Sequence, residues 1–128
     1  PTEAEWEFAA RGGTRSHNYL YSGSDDINEV AWWHDNSGGK LHAVGTKHPN
    51  ELGLYDMTGN AYEWCSDWQA PYQAAAQTNP KGPQSGRARI MRGGNWSSSE
   101  SSSGVMTRSQ CLPDIAICCG IRLVCDRL

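Results

Sequence analysis

The sequence predicts an α+β domain that is rich in loops and has short strands. A helix start signal lies at the beginning of the chain, and an alternating aromatic segment typical of a strand lies near its middle. The 128 residues include 14 glycines and six tryptophans but a single phenylalanine, a composition that favours irregular packing over a helical bundle. A chain of this length is sufficient for one hydrophobic core and short for two.

The helix is predicted over about residues 3–11. Thr2 and Glu5 have the spacing of a capping box, in which each side chain accepts a hydrogen bond from the other residue's amide. The Gly12-Gly13 pair then ends the helix. The apolar side chains expected to be buried are Ala4, Phe8 and Trp6.

The central strand is predicted after the Gly59-Asn60 turn. Tyr62, Trp64, Ser66 and Trp68 occupy alternate positions, which is the period of a strand. Three aromatic rings on one face predict that this face belongs to the core. Short extended pieces with turns are expected in residues 19–44.

After this strand, residues 69–86 are rich in Gln, Ala, Pro and Gly and predict a long surface connection. A short strand is expected over residues 87–92, followed by a Gly93-Gly94 turn.

Composition excludes several function classes. The net charge is −3 without a basic cluster, so nucleic acid is not a predicted partner. No apolar run of about 18 residues and no secretory leader is visible, so no membrane span is predicted. The five cysteines are an odd number, and no CxxC or HxxxH spacing indicates zinc.

The most unusual stretch runs from Arg92 to Val124. Residues typical of a framework, such as Trp96, Arg108 and Pro113-Asp114, alternate there with positions that share neither polarity nor a helical or strand period. These aperiodic positions are Ser97, Ser98, Ser99, Ser101, Ser102, Thr107, Ser109, Cys111, Leu112, Ile115, Ile117, Cys118 and Cys119. Such a mixture is unusual for a core and for a linker.

Two motifs carry a resemblance to a known family. The spacing RGG-x-W, sixteen residues, PD, five residues, G-x-R-L-V resembles the variable region of proteins diversified by diversity-generating retroelements. The segment PTEAEWEFAARGG is similar to the formylglycine-generating-enzyme superfamily. The resemblance implies the C-type lectin fold of the formylglycine-generating-enzyme subtype. It also implies that residues 1–128 are the C-terminal part of one such domain, with the variable ligand-binding region at about residues 92–124.

In that family, an adenine-directed reverse transcriptase rewrites Asn codons of a template. A codon that keeps its final C can become Ser, Thr, Ile, Leu or Cys but never Met, Trp, Gln, Lys or Glu. All the aperiodic positions fit this set, whereas Glu100, Met106 and Gln110 do not. Together with Trp96, which is either a floor for the site or plain core, these positions form the predicted ligand-binding site.

Three interpretations of residues 96–119 compete. A flexible serine linker fits residues 97–103 but not the apolar residues around them. A copper oxidoreductase like the formylglycine-generating enzymes requires two cysteines a few residues after RGG-x-[YW], where this chain has serines until Cys111. The four histidines His17, His34, His42 and His48 have no spacing that rebuilds a metal site. A non-catalytic binding surface is therefore the preferred interpretation, with a degenerate, structural superfamily member as a further alternative.

The resemblance also implies a calcium site. Its ligands in this chain are the side chains of Asp56 and Glu63 and the backbone carbonyls of Gly59 and Ala61, and hard oxygen ligands suit calcium. The alternative is a carboxylate that accepts backbone amides or pairs with an arginine. Calcium would be structural, and no cofactor is required for function.

The predicted site binds by shape and apolar contact from Leu112, Ile115 and Ile117, with serine hydroxyls at its rim. A protein partner is expected because the proposed surface is broad. The resemblance implies display at the cell surface or outside the cytoplasm, although no targeting signal is visible in the sequence.

Overall fold

The computed structural model describes residues 1–115 and 119–125. Helix α1 spans Glu3–Ala10 and the short helix α2 spans Ile27–Val30, while single 3₁₀ turns occupy Gly13–Arg15 and Glu100–Ser102. The four strands are β1 (Tyr62–Trp68), β2 (Arg89–Arg92), β3 (Arg108–Cys111) and β4 (Cys119–Gly120). They form one sheet in the order β3-β2-β1-β4, in which β4 is parallel to β1 and the other pairs are antiparallel. The predicted loop-rich α+β architecture is confirmed.

Helix α1 begins at the predicted capping box. The Thr2 hydroxyl accepts from the Glu5 amide at 3.2 Å, and the Glu5 carboxylate accepts from the Thr2 amide at 2.8 Å. The helix ends before Gly12, whose φ of +88° is readily adopted by glycine. Local side-chain chemistry therefore fixes both ends of the helix.

The buried face of α1 differs from the prediction. Trp6 and Ala10 are buried together with the charged Glu3, whereas Phe8 is 58% exposed and Ala4 is half-buried. This side of the helix faces the sheet because the Glu3 carboxylate forms ion pairs there with Arg92 and Arg108. The expectation of burial was therefore wrong for Phe8 and only partly met by Ala4, whereas Trp6 is buried as expected.

Strand β1 is central in the sheet, as predicted, but the face that packs against the core is the opposite of the predicted aromatic one. Glu63, Cys65 and Asp67 are buried, whereas Tyr62, Trp64 and Trp68 are half-buried. The buried carboxylates are compensated by partners distant in sequence. The Trp6 indole Nε1–H donates to Glu63 at 2.7 Å, and the Glu3 amide donates to Asp67 at 2.7 Å.

Two apolar clusters form the core. The first lies between α1 and the sheet and contains Trp6, Ala10, Met57, Cys65, Ile90 and Val105. The second contains Tyr21, Ile27, Val30, Ala31 and Trp33 around α2. Helix α2 replaces part of the extended structure expected in residues 19–44. It forms because the Asp26 side chain caps it by accepting from the Asn28 amide at 2.9 Å.

The predicted turns at Gly59-Asn60 and Gly93-Gly94 are present. Gly59 and Asn60 both have positive φ, and a Cβ on Gly59 would collide with the backbone oxygen of Trp32. Residues 69–86 form the predicted surface connection without helix or strand. The glycine of the G-x-R-L-V motif, Gly120, belongs to β4, where it pairs with Glu63 of β1.

Candidate functional site

One face of the sheet combines aromatic residues from outside the predicted variable set with predicted variable residues. Directly paired residues of neighbouring strands point to the same face of a sheet. Trp64 of β1 pairs with Met91 of β2, which pairs with Ser109 of β3. Ser109 therefore shares a face with Trp64.

The next row of the same face repeats this arrangement. Trp68 pairs with Arg89, which pairs with Cys111. The Arg89 guanidinium carbon lies 3.5 Å from the centre of a Trp68 ring, which places both side chains on one side of the sheet. We call this side the aromatic face; it comprises Tyr62, Trp64, Trp68, Arg89, Met91, Ser109, Cys111 and Cys119.

Strand β4 brings a further predicted variable residue to the aromatic face. Cys119 pairs with Tyr62 in the parallel part of the sheet, and its Sγ lies 3.1 Å from the Sδ of the buried Met91. Strands β3 and β4, at the two edges of the sheet, thus each contribute predicted variable residues next to residues of β1 and β2 that lie outside the predicted variable set.

The serine-rich turn of residues 97–102 lies beside the start of β1, because the Ser98 hydroxyl is 3.4 Å from the Tyr62 hydroxyl. Ser97, Ser99 and Ser101 are exposed, and Ser102 is half-buried. The turn is ordered by its own hydroxyls, since Ser99 Oγ lies 2.9 Å from Ser102 Oγ and 3.2 Å from Ser101 Oγ. The flexible-linker interpretation is inconsistent with this geometry.

Ser98 differs from its neighbours because its side chain is buried. Its hydroxyl accepts from the Asn95 amide at 2.9 Å and donates to the Asn95 side chain at 3.0 Å. Its carbonyl accepts from the His34 amide at 3.1 Å. Ser98 therefore holds the turn in place, and its predicted contact with ligand stays a prediction.

Trp96 is half-buried, so it is neither plain core nor fully surface. Its amide donates to the carbonyl of Asn60 at 2.9 Å, and its carbonyl accepts from the Ser37 hydroxyl at 2.7 Å. These bonds fix the backbone at the entry to the variable stretch.

The remaining predicted site residues lie on or after β3. Leu112 and Ile115 are the first and last residues of a turn closed by a 3.0 Å hydrogen bond from the Ile115 amide to the Leu112 carbonyl, and Pro113-Asp114 occupy its centre. Ile115 is 43% exposed, and Thr107 is half-buried. Ile117 and Cys118 lie outside the described residues.

The sequence does not predict that Tyr62, Trp64, Trp68, Arg89 and Met91 belong to this face. The interpretation of the variable stretch as wholly aperiodic was also too broad, because Thr107, Ser109 and Cys111 alternate with the period of a strand. This alternation is the signal that could have indicated a sheet face.

The predicted calcium ligands show a mixed arrangement. Both Glu63 oxygens are taken by Trp6 Nε1 and by Arg122, whose Nη2 lies 2.6 Å from Oε1 and whose Nε lies 2.8 Å from Oε2. The Arg122 guanidinium also donates to the Tyr55 carbonyl at 2.8 Å. This is the arginine pairing that the sequence left open, so the charge of Glu63 is compensated without a metal.

Asp56 provides the part of the site that fits a cation. Its backbone has a φ of +57°, and its Oδ2 accepts from the Gly45 amide at 2.7 Å. Its Oδ1 is buried and has no hydrogen-bond partner among the described residues. A buried carboxylate oxygen without a donor favours an ion or water beside it. Calcium therefore stays a prediction, centred on Asp56 and the carbonyls of Gly59 and Ala61.

A thiol-based copper centre finds little support in the described part of the chain. No group of three or more His, Cys, Asp or Glu residues there is placed to hold a metal ion. The segment after Trp96, where the enzymes' two cysteines are expected, carries serines. Two of their hydroxyls lie side by side next to Gly94, because a Cβ on that glycine would be 3.1 Å from Ser103 Oγ and 3.3 Å from Ser98 Oγ. Burial raises the pKa of the Cys65 thiol to about 12, the opposite of a reactive cysteine.

Comparison with known proteins identifies the family. A model described as the sulfatase-modifying factor enzyme 1-like domain matches residues 1–127. The chain belongs to this family. Among solved structures, Treponema denticola variable protein 1 matches this family member with a TM-score of 0.86 at 40% identity, over 94% of this chain and 45% of that chain. The C-type lectin-like fold of the formylglycine-generating-enzyme type, predicted from the sequence, is confirmed.

Curated relatives of this sulfatase-modifying factor enzyme 1-like chain carry different names. The chaperone protein LppX of Paenibacillus barcinonensis is 40% identical over 116 residues, and the formylglycine-generating enzyme of Streptomyces coelicolor is 38% identical over 112 residues. The alignments cover 77% and 75% of this chain but 38% and 35% of those proteins. The chain thus spans little more than a third of their length. Within the described ranges, no helix has the length and apolarity needed to cross a membrane.

Proposed function

We propose that this protein is a non-catalytic ligand-binding protein whose site is the aromatic face together with the turn of residues 97–102. One observation carries the proposal. Predicted variable residues from separate segments, including Ser109, Cys111 and Cys119, converge on a single face of the sheet. The similarity to Treponema denticola variable protein 1 supports the same function.

The arrangement separates folding from recognition. The opposite side of the sheet carries the core, with Cys65 and Ile90 buried against α1. Exchanging Ser109 or Cys111 therefore leaves these contacts intact, and tolerance to exchange is what a diversified site requires.

The chemistry of the aromatic face suits a protein ligand. Half-buried aromatic rings supply rigid apolar contact area, and the exposed serines of the 97–102 turn supply a polar rim. We place this surface at the cell exterior by resemblance to the variable proteins. Protease treatment of intact cells tests the location, because a surface-exposed protein is degraded before the cells lyse.

Formylglycine-generating activity is the second candidate, favoured by 38% identity with the Streptomyces coelicolor enzyme. The serines around Gly94 argue against it, because a hydroxyl is a poorer copper ligand than a thiolate. We expect neither copper(I) binding in a chromophoric competition assay nor oxidation of a cysteine-containing sulfatase peptide. Turnover of that peptide would establish the enzymatic alternative.

Two matched display libraries test the proposed function. The first randomises Ser109, Cys111, Leu112 and Ile115 with codons ending in C. The second randomises the exposed positions Gln73, Ala75, Gln77 and Gln84 of the surface connection. Both are selected against purified lysozyme, serum albumin and streptavidin. We expect specific binders from the first library only, and an equal yield from both would contradict the proposal.

A further inference from the structure

A small pocket lies beside the aromatic face of the sheet. It has a volume of about 240 Å³ and is lined by Trp64, Cys65, Arg89 and Pro113. This volume corresponds to roughly eight water molecules and accommodates one polar side chain. None of the four lining residues belongs to the predicted variable set.

Arg89 lines this pocket, and its guanidinium is held in a fixed orientation. It stacks on Trp68 at 3.5 Å, and its Nη1 donates to the Ser66 carbonyl. Its Nε and Nη2 groups have no acceptor among the described residues, and no carboxylate there forms an ion pair with it. The neighbouring Asp67 is directed to the opposite side of the sheet, where it accepts from the Glu3 amide.

We propose that this pocket is a constant anchor that binds the carboxylate of an acidic side chain on a protein partner. The inference rests on the proposed function and names the chemistry that its ligands share. A planar guanidinium with two free N–H donors matches a carboxylate in a bidentate manner. Its stacking on Trp68 reduces the side-chain entropy that binding would otherwise cost.

Predicted variable residues surround this anchor. Cys111 is the cross-strand partner of Arg89, and Leu112 precedes Pro113 in the chain. Arginine and tryptophan are enriched among the residues that dominate binding energy in interfaces. The anchor therefore supplies an interaction common to all variants, and the exchanged side chains determine which acidic partner fits around it.

A matched pair of small probes tests the anchor on the full chain without knowledge of the natural ligand. N-acetyl-glutamate methylamide and N-acetyl-glutamine methylamide have nearly the same shape and differ in charge. We expect the glutamate probe to shift the NMR signals of the Arg89 Nε–H and the Trp64 indole N–H and to saturate with a millimolar Kd. The glutamine probe should bind about tenfold more weakly. Equal binding of the two probes would overturn the proposal.

Variants of Arg89 test whether this residue causes the preference for the glutamate probe. Arg89→Lys retains the charge but loses the planar fork, so the preference for the glutamate probe should fall well below its value in the unaltered protein. The exposed Arg87 provides the matched control, and Arg87→Lys should leave the preference unchanged. An unchanged preference in Arg89→Lys, with the sheet signals intact, would refute the assignment to Arg89.

Failure of the anchor and failure of the proposed function give different results. If the probes do not discriminate but the library at Ser109, Cys111, Leu112 and Ile115 still yields binders, only the anchor is wrong. If that library also yields no binders, the aromatic face is not a ligand site at all.

Discussion

Among single residues, Arg92 joins the helix to the sheet. Its fully buried guanidinium lies 2.7 Å from Glu3 and 2.6 Å from Glu7, and it donates to the Val105 carbonyl at 2.7 Å. Arg108 adds a second cation at 2.9 Å from Glu3. The network explains why a charged helix face is turned inward. Within this network, the carboxylates of Glu3 and Glu7 each have an arginine partner.

Removing Arg92 should therefore destabilise the protein strongly. Arg92→Ala leaves Glu3 buried without one of its cations, and we expect a loss of about 3–5 kcal/mol in the free energy of unfolding. The exposed Arg87→Ala control should stay within about 0.5 kcal/mol. Urea unfolding measures both, and similar midpoints for the two variants would contradict the structural role of Arg92.

Glu7 makes part of this network dependent on pH. Partial burial alone would raise the pKa of Glu7, but Arg92 and Arg11 outweigh it and lower the pKa below the ordinary value. A lowered folded-state pKa stabilises the fold above the unfolded-state pKa of about 4.3, and this stability is lost as pH falls through the folded-state pKa.

The test is a series of thermal melts between pH 7 and pH 3. Glu7→Gln should melt below the unaltered protein at pH 7, and the difference should shrink as pH falls below about 4. A difference that is constant over this range would show that the Glu7 charge contributes nothing.

Among the elements, β1 separates two functions by its alternation. Its buried side faces α1, and its half-buried aromatic side faces the predicted variable residues. Substitutions on the two sides of the neighbouring strands should therefore have different costs. Ile90→Ala removes a fully buried side chain and should cost about 2–5 kcal/mol, whereas Ser109→Asn should cost less than about 0.5 kcal/mol.

Urea unfolding of these two variants compares the faces directly. Met91→Ala serves as a control, because Met91 is buried although it belongs to the aromatic face, so its loss should be intermediate. A cost for Ser109→Asn equal to that of Ile90→Ala would place Ser109 in the core and remove it from the site.

The turn of residues 56–61 carries the calcium prediction. If calcium binds beside the orphan Asp56 Oδ1, millimolar calcium should raise the melting temperature and EGTA should reverse the change. Asp56→Ala should abolish the response, whereas the exposed Asp35→Ala should retain it. A melting temperature that does not respond to calcium in the unaltered protein would contradict the calcium prediction.

For the whole molecule, the sequence predicted features set by neighbours along the chain. The cap at Thr2, the glycine turns and the extent of β1 follow from local spacing and backbone conformation, and the structure confirms them. The face that β1 buries could not be predicted in this way. The partners that compensate Glu63 are Trp6 and Arg122, which lie 57 and 59 residues away in sequence.

The same distinction applies to the candidate site. Composition and the codon pattern implied by the resemblance predict a variable stretch at Trp96–Cys119, because those signals are contained in the stretch itself. The residues beside it could not be predicted, because the register that joins Trp64, Met91 and Ser109 depends on pairing between distant strands. Whole-chain topology thus decides which residues lie next to the predicted variable ones.

We expect diversification to be confined to the aromatic face and the turns beside it, and deep sequencing of the locus in one population would reveal the pattern. We predict substitutions at Ser97, Ser99, Ser109, Cys111, Leu112 and Ile115, with Trp64, Arg89 and Ile90 unchanged and an Asn-rich template copy nearby. An invariant stretch without a template, or substitutions spread equally over Ile90 and Ser109, would show that this surface is not a diversified binding site.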